Sequence, residues 1–259
     1  LLLQEISGLS HAQLIADSER PLSGEHWQRL SVLLERRAAG EPLAYLLGHA
    51  EFRGRRFAVT PDVLIPRPET EELVELVLEK LASLPSSPFP IPIETRAVDL
   101  GTGSGVIAIS LALECPQLAM TATDRSAAAL AVAAGNAAVL GAPVEFRQGD
   151  WLTPLAGERF HLIVSNPPYV AVGDPHLELN GLPFEPQSAL TDGGDGLSCI
   201  RAIVAAAGVH LLPGGWLLFE HGYDQGEASR NLLRAAGFQD VFTQTDLAGT
   251  DRISGGRQP

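Results

Sequence analysis

The stretch from Phe160 to Tyr169 constrains this chain more than any other. Phe160-His161-Leu162-Ile163-Val164 is a short apolar run that reads as a buried strand. Asn166-Pro167-Pro168-Tyr169 follows it, and two successive prolines cannot continue a strand, so the chain must leave the sheet at Asn166. From Arg96 onward, strand-like and helix-like stretches alternate. Strands are expected near 96–100, 119–124, 144–148, 160–165 and 215–220, with two late ones near 238–243 and 251–254. Helices fit between them, notably over 105–113 and over the Ala-rich 126–140. This alternation predicts an α/β fold, a doubly wound, Rossmann-like sheet of seven mostly parallel strands. In such a sheet ligands bind where the chain leaves the carboxyl ends of the strands. The turn at Asn166 is therefore a candidate site.

The upstream region has a different texture. A chain of 259 residues suits one large domain or two unequal ones. Residues 1–48 read as helical. Ser23 is a plausible N-cap, Trp27, Leu30, Leu33 and Leu34 recur at helical spacing, and Gly40-Glu41-Pro42 ends that helix. A short helix over 43–47 then stops at Gly48. This unit is too small for catalysis and reads as a docking domain. Residues 49–68 form a connector, in which Phe52, Phe57, Val59, Val63 and Ile65 among the turn residues Gly54 and Pro61-Asp62 suggest a β-hairpin. Arg67-Pro68-Glu69-Thr70-Glu71 opens a helix with Leu73, Leu76, Val77 and Leu81 on its apolar side. The third unit, 69–259, carries the alternating pattern, and its Pro/Ser-rich 83–94 reads as a surface loop.

Charge narrows the partners. The net charge is −13, from 18 basic and 31 acidic residues, and Lys80 is the single lysine. Arg53-Gly54-Arg55-Arg56 is only a small basic cluster, so a nucleic-acid duplex is disfavoured as the main substrate. No apolar run could span a bilayer, and the N-terminus has no export-signal pattern and no initiator methionine. Cys115 and Cys199 are too few and too far apart for a disulfide framework or a zinc site, and the seven histidines show no metal-ligand spacing. A cytoplasmic, metal-free monomer is expected.

Val98-Asp99-Leu100-Gly101-Thr102-Gly103-Ser104-Gly105 sits at the first strand-to-helix turn. Glycines permit a sharp turn and close approach of a ligand. A dinucleotide loop would aim the helix N–H groups at a pyrophosphate. Here Asp99 precedes the glycines, awkward for a diphosphate but suited to a cationic amino-acid moiety, and the spacing is Gly-x-Gly-x-Gly. Both points favour S-adenosylmethionine over NAD. Asp124 ends the second strand, where an acid commonly accepts ribose hydroxyls, and its bland alternative is a helix cap. Gly149-Asp150-Trp151 ends the third, where Asp150 suits an adenine amino group and Trp151 an adenine wall, unless the Trp merely covers the sheet edge.

At Asn166 the side-chain carbonyl can accept a hydrogen bond from an NH2 group, the Pro167 carbonyl can accept another, and Tyr169 offers a flat face. Two acceptors and an aromatic wall suit the holding of a planar nitrogen with its lone pair aimed at an electrophile. Glu185 is expected either to line the substrate channel or to be a solvated loop acid, and Arg67 to tie the connector to the third unit by an ion pair. His161, inside a strand, reads as a satisfied core residue, and Gly193-Gly194-Asp195-Gly196 as a flexible loop.

Together these residues resemble the class I S-adenosylmethionine-dependent amino-methyltransferases, in the branch whose Asn-Pro-Pro-Tyr serves planar nitrogens. Within it the chain is similar to the peptide-chain release factor glutamine N5-methyltransferases (the PrmC/HemK family). The likeness runs through Gly40-Glu41-Pro42-Leu43-Ala44-Tyr45-Leu46-Leu47-Gly48, Glu51-Phe52, Leu64-Ile65-Pro66-Arg67-Pro68-Glu69-Thr70-Glu71, residues 99–105 and 166–170, Glu185-Pro186, Ala189-Leu190, residues 193–197 and Asp246-Leu247-Ala248-Gly249. The Arg-Pro-Glu-Thr-Glu run separates it from the sister family that methylates a ribosomal protein. The resemblance implies a cofactor site at Gly101, Thr102, Gly103, Ser104, Gly105, Asp124, Trp151 and Asn166. It implies that Asn166, Pro167, Pro168 and Tyr169 hold the glutamine of the Gly-Gly-Gln loop of class I release factors, S-adenosyl-L-homocysteine being the by-product. The competing readings are a ribosomal-protein glutamine methyltransferase, a nucleic-acid amino-methyltransferase and a non-catalytic binding module.

Overall fold

The computed structural model describes residues 1–84 and 95–259. Most of the surface loop expected over 83–94 lies outside the described residues; Ser83 closes a helix. In chain order the elements are α1 (Leu2–Ser7), α2 (His11–Ala16), α3 (Gly24–Ala38), α4 (Leu43–Leu47), β1 (His49–Phe52), β2 (Arg55–Ala58) and α5 (Glu69–Ser83). They continue with β3 (Thr95–Leu100), α6 (Val106–Glu114), β4 (Leu118–Asp124), α7 (Ala127–Leu140), β5 (Val144–Gln148) and β6 (Phe160–Ser165). After two short 3-10 turns come α8 (Gln187–Leu190), α9 (Ser198–His210), β7 (Leu211–Glu220), α10 (Gly226–Ala235), β8 (Gln239–Thr245) and β9 (Asp251–Arg257).

Local chemistry explains the boundaries. The Ser23 hydroxyl accepts from the His26 N–H at 3.2 Å and so caps α3, as the sequence predicts. Gly48, left-handed at φ 75°, ends α4. Between β1 and β2, Arg53 and Gly54 both have positive φ (50° and 68°), the two-residue turn whose twist suits a hairpin. The hairpin is anchored from outside. The Arg53 guanidinium reaches Glu75 of α5 and Glu114 of α6, and the buried Phe52 and Phe57 rings meet edge to face.

The seven-stranded sheet has the order β5-β4-β3-β6-β7-β9-β8. Its first five strands run parallel, and β9 is antiparallel to both β7 and β8. The expected fold class is present, with α9 and α10 packed over one face and α5, α6 and α7 over the other. The strand order reverses between β3 and β6, and a crevice opens at that switch point. Register decides what faces it. Thr123, Leu100, Ser165 and Phe219 form one row across β4, β3, β6 and β7. The next residue on each strand is Asp124, Gly101, Asn166 and Glu220, so four residues far apart in sequence emerge side by side at the carboxyl edge.

Candidate active site

A cavity of about 370 Å³ lies over that edge. Gly101, Thr102, Gly103 and Ser104 form its floor, Asp124, Asp150 and Trp151 one wall, and Thr70, Asn166 and Pro168 another. The segment between β2 and α5 adds Val63, Leu64 and Arg67.

The glycine loop is shaped from beneath. The Thr123 carbonyl accepts from both the Gly101 and the Thr102 N–H, each at 2.9 Å. Asp124 Oδ2 accepts from the Gly103 N–H at 3.0 Å, and the Thr102 carbonyl from the Gly105 N–H at 2.8 Å. These are the donors that a dinucleotide loop would turn toward phosphate, and here the protein itself uses them. A Cβ on Gly105, which sits at φ 85°, would stand 2.8 Å from Ile109 Cδ1, so only glycine lets α6 start here.

Asp99 does not reach the cavity. It is wholly buried under the loop, where its Oδ2 accepts from the Thr102 hydroxyl at 2.6 Å while Oδ1 is unpaired. Burial pushes its carboxyl up to about 7. The expectation that it faces a cationic moiety is corrected to a part in shaping the loop. Asp124 does line the cavity, and Oδ1 also accepts from the Ser126 N–H at 2.9 Å. Trp151 has positive φ (48°), an unfavourable backbone for a bulky residue, and its ring stands 3.1 Å from where a Gly101 Cβ would be. The surrounding packing sustains this strained backbone and sets the indole against the glycine loop at the cavity wall.

Asn166 lines the cavity and its Nδ2 donates to Thr70 Oγ1 at 3.1 Å, which leaves Oδ1 as the amide atom free to accept from a ligand. The buried Thr70 hydroxyl donates in turn to Glu220 Oε2 at 2.8 Å. Tyr169, expected to present its face to a substrate, instead donates its hydroxyl to Glu220 Oε1 at 3.0 Å and does not line the cavity. Pro167 is buried between Asn166 and Pro168, both of which line the cavity.

Glu185 differs from both sequence expectations. Its side chain is 2% exposed, Oε2 accepts from the Ile65 N–H at 2.9 Å, and Oε1 meets Arg67 Nη2 at 2.5 Å. It clasps the segment between β2 and α5, with Arg67 as the partner the sequence assigned to an ion pair. The glycine-rich 193–196 segment is tied rather than loose. Asp192 accepts from the N–H groups of Gly194, Gly196 and Ser198 at 2.7–3.0 Å, and a Cβ on Gly196 would stand 2.5 Å from the Tyr169 carbonyl. His161, half-buried in β6, accepts on Nδ1 from the Arg96 N–H at 3.1 Å, a satisfied structural contact rather than a core position.

Besides Thr70 and Glu220, two further residues were not singled out from the sequence. Asn136, in the Ala-rich α7, brackets Ala58 through both amide atoms (2.8 and 3.0 Å) and donates to the Ser104 carbonyl at 2.9 Å, joining hairpin to glycine loop. Gln225 donates to the Tyr169 and Gly196 carbonyls at 2.9 and 3.2 Å. A lone Asn in an otherwise apolar helix was the available signal for the first; nothing local marked the second.

Comparison with known proteins agrees with this geometry. A family model described as "Methyltransferase small domain" matches residues 75–195, and one described as "PrmC N-terminal domain" matches residues 1–48. A "Release factor glutamine methyltransferase" of Bordetella pertussis is 52% identical over 99% of this chain and 92% of its own length. One from Burkholderia pseudomallei is 50% identical over 100% and 90%, and one from Salmonella typhimurium 43% over 99% and 90%. The chain belongs to the release factor glutamine methyltransferase family. Solved structures share its fold. A Pyrococcus furiosus methyltransferase superposes with a TM-score of 0.58 at 16% identity, covering 89% of this chain and 98% of that one. The T. thermophilus 16S rRNA N2 G1207 methyltransferase, solved with AdoMet and guanosine, gives 0.57 at 18%, over 82% and 50%.

The cavity's chemistry fits the methyl donor of such enzymes. The N–H groups of Gly101, Thr102, Gly103 and Gly105 are spent internally, while Asp62, Asp124, Asp150 and Asp192 line the walls against two arginines. Those acceptors suit a ligand with positive charge and hydroxyls rather than a diphosphate. Among the described residues no helix is long and apolar enough to cross a membrane.

Proposed function

We infer that this enzyme transfers a methyl group from S-adenosylmethionine to the side-chain amide nitrogen of a release-factor glutamine, the one in the Gly-Gly-Gln loop of class I factors. The observation that carries the reading is Asn166, an amide with its acceptor atom free, placed one strand from a glycine loop whose Gly101, Thr102, Gly103 and Gly105 N–H groups are already used. The 52% identity to a release factor glutamine methyltransferase supplies the substrate class. We assign Asp124, Asp150, Trp151 and the Gly101–Gly105 loop to the cofactor, and Asn166, the Pro167 carbonyl and Pro168 to the glutamine. Residues 1–48 would receive the release factor, 49–68 would connect, and 69–259 would carry the chemistry of a monomer.

When bound, the cofactor supplies an electrophilic methyl on a sulfonium. A glutamine amide is a poor nucleophile because its lone pair is delocalised. Asn166 Oδ1 and the Pro167 carbonyl would accept its two N–H bonds, hold the nitrogen in line with the methyl and draw the lone pair outward. Because the prolines and Thr70 fix this turn in advance, the acceptors need no reorganisation during transfer. The proton lost from nitrogen can leave late, to water.

The test is transfer of labelled methyl to a purified class I release factor, beside one with the loop glutamine replaced. Label is expected on the wild-type factor alone. Asn166→Ala should lower kcat by about 100-fold or more while binding cofactor normally, since one preorganised contact to the reacting group is removed. Wild-type turnover by that variant would overturn the role of Asn166.

A further inference from the structure

Asn166 works only if its amide is the right way round. With Oδ1 toward the cavity it accepts from a glutamine NH2; flipped, it would point its own NH2 at another and repel it. Proline turns fix the backbone but not this final side-chain torsion, which is broad and two-fold. Something else must choose the orientation.

We propose that Thr70, with its hydroxyl proton committed to the buried carboxylate of Glu220, is the positioning residue that locks the Asn166 amide with its oxygen toward the substrate. Thr70 Oγ1 has one proton, and it goes to Glu220 Oε2 at 2.8 Å. What remains on that oxygen is lone pairs, so it can only accept from Asn166, and Nδ2 sits there at 3.1 Å. Glu220 is held as the acceptor at the far end. Its Oε1 takes the Tyr169 hydroxyl at 3.0 Å. Burial and the neighbouring charge of Glu69 push its carboxyl upward, opposed by these two donors and by the charge of Arg252. Thr70 and Glu220 are 2% and 1% exposed, so water does not compete for either. Polarity thus passes from carboxylate to hydroxyl to amide. It joins the first turn of α5, the end of β7 and the turn after β6, elements brought together only by the fold.

This rests on the reaction inferred above, and the test separates the two. Thr70→Val keeps the shape and removes the hydroxyl; Thr70→Ser restores it. With release factor saturating, Thr70→Val should lose about tenfold or more in kcat, as expected when a preorganised contact loosens. Its cofactor Kd should stay within about twofold, and Thr70→Ser should retain kcat within about threefold. An unchanged kcat in Thr70→Val overturns the proposal. In the substrate-free wild-type protein, the Asn166 side-chain N–H2 signal, identified by its loss in Asn166→Ala, should show one downfield, slowly exchanging proton, as should Thr70→Ser. Two fast-exchanging protons overturn the proposal whether or not Thr70→Val folds. Absence of transfer by the wild-type enzyme would count against the reaction instead, with the N–H2 signal still deciding the orientation of the amide.

Discussion

Glu185→Ala separates a structural clasp from a substrate contact. The change removes two acceptors at once, one for the Ile65 N–H and one for the Arg67 guanidinium. The backbone N–H left without a partner costs about 1–3 kcal/mol. Arg67 is 30% exposed, so water compensates much of its loss and a further ~1 kcal/mol is reasonable. The sum is roughly 3 kcal/mol. At about 2–4 °C per kcal/mol for a chain of this size, Tm should fall by roughly 6–12 °C. Glu185→Gln, which keeps an acceptor for Ile65, should fall about half as far. Thermal unfolding by circular dichroism checks the stability, and methyl transfer at 20 °C, about the temperature of maximum stability for such domains, checks the site. KM for the release factor should stay within about twofold. A Tm within about 2 °C of wild type, together with a roughly tenfold rise in that KM, would refute the clasp and return Glu185 to the substrate channel.

Other predictions follow from single contacts. Asp99 has a folded-state pKa raised to about 7, above its unfolded value, so its contribution is fully present below pH ~4 and is lost as pH rises toward 7. Asp99→Asn cannot ionise, so its Tm relative to wild type should climb between pH 5 and 8, about the window that brackets this titration; a constant difference would disprove the shift. Gly196→Ala would place a Cβ 2.5 Å from the Tyr169 carbonyl at a position with φ 83°, displacing the turn that carries Asn166. It should lower kcat by about tenfold with cofactor affinity kept, and a wild-type kcat would show that the turn tolerates the shift.

The sequence by itself determined the strands, their alternation with helices, and where the chain must break from the sheet. Period and turn chemistry act over a few residues. Two prolines end β6 whatever surrounds them, and an apolar run of five is a strand candidate on its own. The hairpin and the capping serine of α3 were legible for the same reason. Tertiary structure decided the direction and partner of each side chain at the site. Asp99 precedes the glycines in sequence, yet burial turns it beneath the loop rather than into the cavity. Glu185 reads as an ordinary loop acid until the segment between β2 and α5, 118 residues away at Arg67, closes over it. Thr70 and Glu220, 150 residues apart, carry no local mark of their contact. Register at the carboxyl edge and the packing of α5 bring them to Asn166, because hydrogen-bond polarity depends on what lies within about 3 Å in space rather than along the chain.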